Sequence, residues 1–418
     1  MTHGADGRVV VVGAGIAGQQ VAFGLREQGF AGAVALVGDE PGAPYERPPL
    51  TKAYLRGDIG PDELEPRPAE LYRHERIDLV RARAERIDRA GRTVVLDDGR
   101  RLPYDRLVLA TGARNRRLRA PGGDLEGVFS LRTRREADAL REALAGAGSI
   151  VVAGAGFIGL EFAAAVSAHG HKATIVESRA RPLGRAVSAH TAAHFTSLHE
   201  RHGTGFVFGE EVAALHGDRA GRVREAELTD GAVLPADLVL AAVGAAPDTR
   251  LAEGAGLPVE DGVAVDAWLR TRDPCVLAVG DCASVAPASG TGPRLRLESV
   301  QNALDQAAYA AERLARPDEG EDAPPYARLP WFWSDQYDSS LQIAGLAAGH
   351  DRAVVVGDPD DAFSVLLYRR GALAAVESVN RPADHMAARR LLAEGRAPAP
   401  EQAASPDFSL RAFARSGG

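Results

Sequence analysis

The 418-residue chain has only two cysteines, Cys275 and Cys282. With no third thiol and no C-x-x-C spacing, they suggest neither a disulfide framework nor a metal site, and two plain buried or half-buried thiols are expected. Positive charge is not in excess: 49 Lys and Arg stand against 57 Asp and Glu, a net charge of −8. Without a basic surplus to neutralise phosphates, a nucleic-acid partner is not expected. Long apolar runs are missing too. The longest are strand-length, far short of the roughly 20 residues that a spanning helix needs, so no membrane attachment is expected. The opening residues Met1-Thr2-His3-Gly4-Ala5-Asp6 lack the charged-then-apolar pattern of a secretory signal, which points to the cytoplasm. Aromatics make up 6% of an otherwise globular composition, 45% hydrophobic and 25% charged. The length exceeds one ordinary core and implies two to three domains.

Glycine is placed with a pattern. Val9-Val10-Val11-Val12 runs into Gly13-Ala14-Gly15-Ile16-Ala17-Gly18, and Ile150-Val151-Val152-Ala153 runs into Gly154-Ala155-Gly156-Phe157-Ile158-Gly159. Each is an apolar strand, a G-x-G-x-x-G turn and the start of a helix. In such a turn the first glycine makes the tight bend, the second lets a pyrophosphate approach, and the third packs helix on strand. The helix N-terminus then offers unpaired N–H groups to the phosphates. After the first turn, Ala17, Val21 and Leu25 recur on one helical face, and Ala33–Val37 reads as the next strand. Asp39 and Glu40 follow, where an acid can accept from ribose hydroxyls. After the second turn, Ala173–Val176 is the next strand and ends at Glu177. An acid there binds ribose hydroxyls and repels a 2′-phosphate, which favours NADH; Arg179 and Arg181 nearby pull toward NADPH.

Two such sites in one chain suggest a flavin and a nicotinamide held against each other. The strand Leu107–Leu109 leads into Ala110-Thr111-Gly112, and Val276–Val279 leads into Gly280-Asp281. Both put small residues at strand carboxyl ends, where open α/β sheets bind ligands, and assign the first site to FAD, with Asp281 on the ribityl hydroxyls. The glycine turn at Gly244 follows another strand, Leu238–Ala241. The predicted fold is α/β: two Rossmann-like domains, the NAD unit (116–240) inserted in the FAD unit (1–115 and 241–325), plus a small C-terminal α+β domain (326–418). A charged, proline-rich linker is expected over 316–325. Beyond it, 353–357, 363–368 and 372–379 read as strands, with a hairpin at Arg369-Arg370-Gly371, then a helix over about 382–394. The last thirty or so residues carry no clear pattern.

Three further segments carry a family resemblance: Pro44-Tyr45-Glu46-Arg47-Pro48-Pro49-Leu50-Thr51-Lys52-Ala53-Tyr54-Leu55, Glu298-Ser299-Val300-Gln301-Asn302-Ala303 and Trp331-Phe332-Trp333-Ser334-Asp335-Gln336-Tyr337. With the two glycine turns, the chain resembles the pyridine nucleotide–disulfide oxidoreductase superfamily. More closely, it resembles bacterial ferredoxin reductases that serve cytochromes P450 and ring-hydroxylating dioxygenases. Disulfide reductases of that superfamily carry a C-x-x-x-x-C pair after the first nucleotide unit, and its NADH oxidases and peroxidases a single cysteine. Here the stretch reads Arg47-Pro48-Pro49-Leu50-Thr51-Lys52. Without sulfur, the flavin has no dithiol outlet. A one-electron protein acceptor, a quinone or oxygen remains.

The resemblance implies tight, non-covalent FAD, NADH as donor and a [2Fe–2S] ferredoxin as acceptor. It places Lys52 beside the flavin N5 edge, Glu161 in an ion pair with Lys52 and facing the nicotinamide carboxamide, and Trp333 near the flavin on the ferredoxin side. It adds Arg47, Ala84, Arg132 and Val300 to the flavin contacts, and Ile158 and Gly244 to the nicotinamide contacts. No metal is expected, and a monomer is. An acidic ferredoxin would need a local basic patch, for which Arg294, Arg296, Arg369, Arg370, Arg389 and Arg390 are candidates. Other readings stay open: a rubredoxin or other small-carrier reductase, an interaction flavoprotein like apoptosis-inducing factor, and a peroxide-forming oxidase.

Overall fold

A computed structural model describes residues 7–289, 292–316 and 323–416. Most of the expected linker, and the first six residues, lie outside these. The chain divides into two compact units. One comprises 1–46, 61–114 and 245–328; the other comprises 47–60, 115–244 and 329–418. The grouping differs from the expected three-way division. Segment 47–60, read with the first nucleotide domain, belongs to the second unit, which also holds both the second Rossmann sheet and the C-terminal sheet.

In the first unit, five parallel strands lie in the order Val276–Ala278, Arg106–Leu109, Arg8–Val12, Ala33–Gly38, Ile77–Arg81. Val9 to Val12 are all buried, as a parallel strand covered on both faces requires. The strand order reverses between Arg8–Val12 and Arg106–Leu109, the point where doubly wound sheets open a crevice. The helices Ile16–Glu27 and Val300–Ala315 pack closely at Gly24, where a Cβ would lie 2.9 Å from the Ala311 methyl. A three-stranded antiparallel sheet, Ala84–Asp88, Thr93–Leu96 and Arg101–Pro103, also belongs here and was not read from the sequence.

The second unit repeats the plan. Its parallel strands run Gly205–Phe208, Ala173–Glu177, Ile150–Ala153, Leu238–Ala241, Val128–Phe129, reversing at Ile150–Ala153. The C-terminal sheet is antiparallel: Trp331–Gln336, Ser339–Gly345, Ala372–Val379, Phe363–Arg369, Arg352–Gly357. Arg370 (φ 52°) and Gly371 (φ 79°) make the tight turn of the expected hairpin. The helix Pro382–Ala393 packs on this sheet through Ala388 and Leu391. The final residues, unreadable in the sequence, form Pro400–Ala403 and Leu410–Arg415, which bury Ala403, Leu410 and Ala414 in the same core.

Two buried histidines make the second unit acid-sensitive. Burial pushes His199 and His385 down to about 4 from 6.5. Both ring nitrogens of His385 are buried without a hydrogen-bond partner among the described residues. The unfolded chain takes up these protons below about 6.5, whereas the folded protein does so only near 4. Stability therefore falls as pH falls through that window and levels off beneath it. Each shift corresponds to about 3 kcal/mol. Urea midpoints are expected to drop between pH 7 and 4, and His385→Phe is expected to flatten that slope. An identical slope in the variant would refute the assignment.

Candidate functional site

The two glycine turns are built alike. Gly13 (φ 110°) donates from N to Val37 O at 2.8 Å, and a Cβ on it would sit 2.1 Å from Ala110 O. Gly154 (φ 106°) donates to Val176 O at 2.8 Å, and its Cβ would sit 2.5 Å from Ala242 O. At Gly18 and Gly159, a Cβ would meet the carbonyl of the first glycine, at 1.8 and 2.2 Å. At Gly15 and Gly156 it would meet nothing within 4 Å. Both of these are helix N-caps with no side-chain cap. Each turn thus leaves an open cradle under a bare helix N-terminus, which fits a pyrophosphate. The residues present therefore fit two dinucleotides.

Around the first cradle the strand ends gather the other expected residues. Ala17 packs on Gly280, whose Cβ would lie 3.1 Å from the Ala17 methyl. Gly280 N donates to Gln306 Oε1 at 2.8 Å, which fixes the turn carrying Asp281. Gln306 in turn donates to Asn302, and Ser299 caps the helix that opens at half-buried Val300. The Glu298–Ala303 motif thus supplies the cap, Ser299, and one buried amide, Asn302, which braces Gln306 just beyond it against the Asp281 turn. Thr111 donates to Asp248 O at 2.6 Å and precedes Gly112 (φ 68°). Asp39 pairs with Arg83 at 3.3 Å, and Glu40 accepts from Tyr45 Oη. Ala84 is half-buried in an antiparallel strand. Cys282 is fully buried and burial pushes its thiol up, so it is no ready thiolate. Cys275 is half-buried, and both cysteines are free.

In the second unit, both Glu177 oxygens face backbone donors. Oε2 accepts from Ala155 N at 2.8 Å and Oε1 from Arg179 N at 3.0 Å, which ties the acid to the glycine turn. Ile158 is 43% exposed in the first turn of the helix that follows, and Gly244 takes φ 93° in the turn after the Leu238–Ala241 strand. Lys52 is one of only two lysines in the chain; the other is Lys172. It follows the 3₁₀ turn Pro48–Thr51, and its Nζ lies 3.3 Å from Glu161 Oε1 and 3.9 Å from Asp335 Oδ2. Glu161 is buried and accepts from Thr51 at 2.6 Å and from Ser334 at 2.7 Å. A carboxylate out of water needs this many partners. Arg47 donates to Arg132 O at 2.5 Å.

Trp331 and Trp333 stand on one face of their strand, ring centroids 5.5 Å apart, and both are half-buried. Of the arginines expected to offer docking charge, Arg294, Arg296 and Arg390 are taken by Glu260, by Asp261 and Glu298, and by Glu394. Arg389 lies 4.7 Å over the Trp331 ring. Arg369 and Arg370 are exposed on the hairpin. Thr51 and Ser334, the hydroxyls on Glu161, went unread although each sits in a quoted motif.

Comparison with known proteins agrees with this construction. Residues 7–307 match the model of the pyridine nucleotide–disulphide oxidoreductase family, and 331–414 match the reductase C-terminal model. The rhodocoxin reductase of Rhodococcus erythropolis is 45% identical over 405 residues, 96% of this chain and 93% of that protein. The crystal structure of the ferredoxin reductase for the CYP199A2 system of Rhodopseudomonas palustris is 43% identical, with a TM-score of 0.94, covering 98% of this chain and 100% of that one. The covalent putidaredoxin reductase–putidaredoxin complex superposes with a TM-score of 0.92 at 36% identity, over 98% and 99%. Among the described residues, no helix is long and apolar enough to cross a membrane.

Proposed function

The chain belongs to the pyridine nucleotide–disulphide oxidoreductase family, and from that premise we propose how its own residues run the reaction. It is a flavin-dependent ferredoxin reductase. The first glycine cradle would hold FAD, which would supply the conversion of the two-electron donor NAD(P)H into single-electron delivery to the iron–sulfur partner. The partner is a [2Fe–2S] ferredoxin that supplies a cytochrome P450 or a ring-hydroxylating dioxygenase; in support, one relative is named a putidaredoxin reductase and another the ferredoxin–NAD(+) reductase component of an anthranilate 1,2-dioxygenase system. The observation that carries this reading is the pair of open glycine cradles in a chain whose Arg47–Lys52 stretch has no cysteine.

Gly13, Gly15 and Gly18 hold the flavin dinucleotide, with Asp39, Glu40, Ala110, Thr111, Gly112, Asp281 and Val300 about it. Gly154, Gly156, Ile158, Gly159 and Gly244 hold the nicotinamide dinucleotide. Lys52 supplies positive charge at the reacting end, Glu161 engages the carboxamide, and Trp333 faces the ferredoxin. No general acid or base is needed, so catalysis rests on position and charge. A nicotinamide-dependent reaction draws on the cytoplasmic coenzyme pool, and cell fractionation tests that location.

Glu177 makes NADH the preferred donor, because an acid at the end of the second strand accepts from ribose hydroxyls and repels a 2′-phosphate. Anaerobic titration with each coenzyme tests this. NADH is expected to bleach the flavin at lower concentration than NADPH. Glu177→Ala is expected to narrow the preference by about tenfold, roughly 1.4 kcal/mol of discrimination. An unchanged ratio would remove Glu177 from coenzyme choice.

A further inference from the structure

The hydrogen bonds on Glu161 do not stop at Ser334. Ser334 Oγ donates to Glu161 Oε1 at 2.7 Å and accepts from Gln336 Nε2 at 3.1 Å. Gln336 Oε1 faces His199 Nε2 at 2.8 Å. His199 Nδ1 lies 3.5 Å from the Tyr337 hydroxyl, which lies 3.4 Å from Thr204 Oγ1. Glu161, Ser334, Gln336, His199 and Thr204 are all buried.

The polarity of this line is forced. A serine has one proton, and here it is given to a carboxylate, so the serine oxygen must accept. The Gln336 amide then presents its NH₂ to Ser334 and its oxygen to His199. His199 must therefore carry its proton on Nε2. Burial keeps the ring neutral, so Nδ1 is bare and open to the Tyr337 hydroxyl. Moving the proton to Nδ1 would require Gln336 to flip. Ser334 would then turn its proton to the amide oxygen and leave Glu161. The tautomer of a histidine 38 positions from Glu161 in sequence is thereby tied to the carboxylate.

A second observation points the same way. Tyr337 occupies the first turn position between the strands Trp331–Gln336 and Ser339–Gly345 with φ 54°, a conformation that glycine takes without penalty and tyrosine does not. Its ring stacks on His202 at 3.8 Å and meets His199 edge-on at 5.0 Å. Backbone strain held in place by packing at the end of a polar line is the mark of a constrained site.

We propose that His199, Gln336 and Ser334 are positioning residues: a one-way hydrogen-bond relay that fixes the rotamer of Glu161, and through it the approach of the nicotinamide. The inference rests on the reading of Glu161 as a nicotinamide-site residue.

The test uses the full-length, FAD-loaded protein. With ¹⁵N-labelled histidine, His199 is expected as one neutral tautomer, protonated on Nε2. In Ser334→Ala, Gln336 is free to flip, and both tautomers are expected. By stopped flow, Ser334→Ala is expected to lower the limiting rate of flavin reduction by NADH about tenfold with FAD content and melting temperature held, and Ser334→Thr to restore it. Gln336→Glu, nearly isosteric, accepts from both sides and draws the serine proton away, so it is expected to match Ser334→Ala. Wild-type His199 protonated on Nδ1, or both variants reducing at the wild-type rate, overturns the relay. A wild type that neither coenzyme reduces overturns the functional reading instead, and the tautomer alone then decides the relay.

Discussion

Lys52→Ala is expected to slow reduction of the flavin by NADH by about 10²-fold, the usual loss when one preorganised charge is removed from a partly dry site. The Lys52 side chain is 19% exposed and pairs at 3.3 Å with a Glu161 that is 7% exposed. Its removal leaves that carboxylate with two hydroxyls and no cation. FAD is expected to stay bound, since the residues assigned to its pyrophosphate are the Gly13–Gly18 turn. Lys52→Arg is expected to rescue poorly, because a planar fork does not replace a compact ammonium. Stopped-flow bleaching, with FAD content measured alongside, separates the two effects. A wild-type rate in Lys52→Ala would end the proposed role of the Lys52–Glu161 pair.

Two glycines three positions apart are expected to fail in different ways. Gly156→Val points into the open cradle and is expected to weaken NADH binding by about 10²-fold, near 2.7 kcal/mol, with little change in melting temperature. Gly159→Ala drives a methyl to within 2.2 Å of Gly154 O. Helix and strand must part, so it is expected to cost about 1–3 kcal/mol of stability before any ligand is added. Calorimetry and equilibrium titration on both variants check this. Equal loss of stability in the two would contradict the assignment of the open side to the ligand.

The Rossmann units were legible because both signals act locally. Val9–Val12 and Ile150–Ala153 are unbroken apolar runs, and Gly18 and Gly159 are dictated by the carbonyls of Gly13 and Gly154 in the same turn. The Arg370-Gly371 hairpin was legible for the same reason. The polar surroundings of Glu161 were not. Ser334 and Glu161 are 173 residues apart and joined by one hydroxyl, which leaves no periodicity to read. His199 sits in a helix whose sequence looks ordinary. The short antiparallel strands at 84–103 and 212–235 alternate too weakly to separate from loops. Segment 47–60 follows the first nucleotide unit in sequence, yet its contacts lie with Glu161, Arg132 and Asp138. Chain order concealed that. A count of arginines does not reveal that Arg296 faces two carboxylates while Arg369 and Arg370 stay exposed.

The most direct test is anaerobic double mixing. The FAD-loaded protein is mixed with NADH, and then with an oxidised [2Fe–2S] ferredoxin, while flavin and iron–sulfur absorbance are followed separately. Rapid flavin bleaching is expected, then ferredoxin reduction with two equivalents reduced per NADH consumed. Fast bleaching with every ferredoxin left oxidised would contradict the acceptor. No bleaching by either coenzyme would contradict the reductase itself.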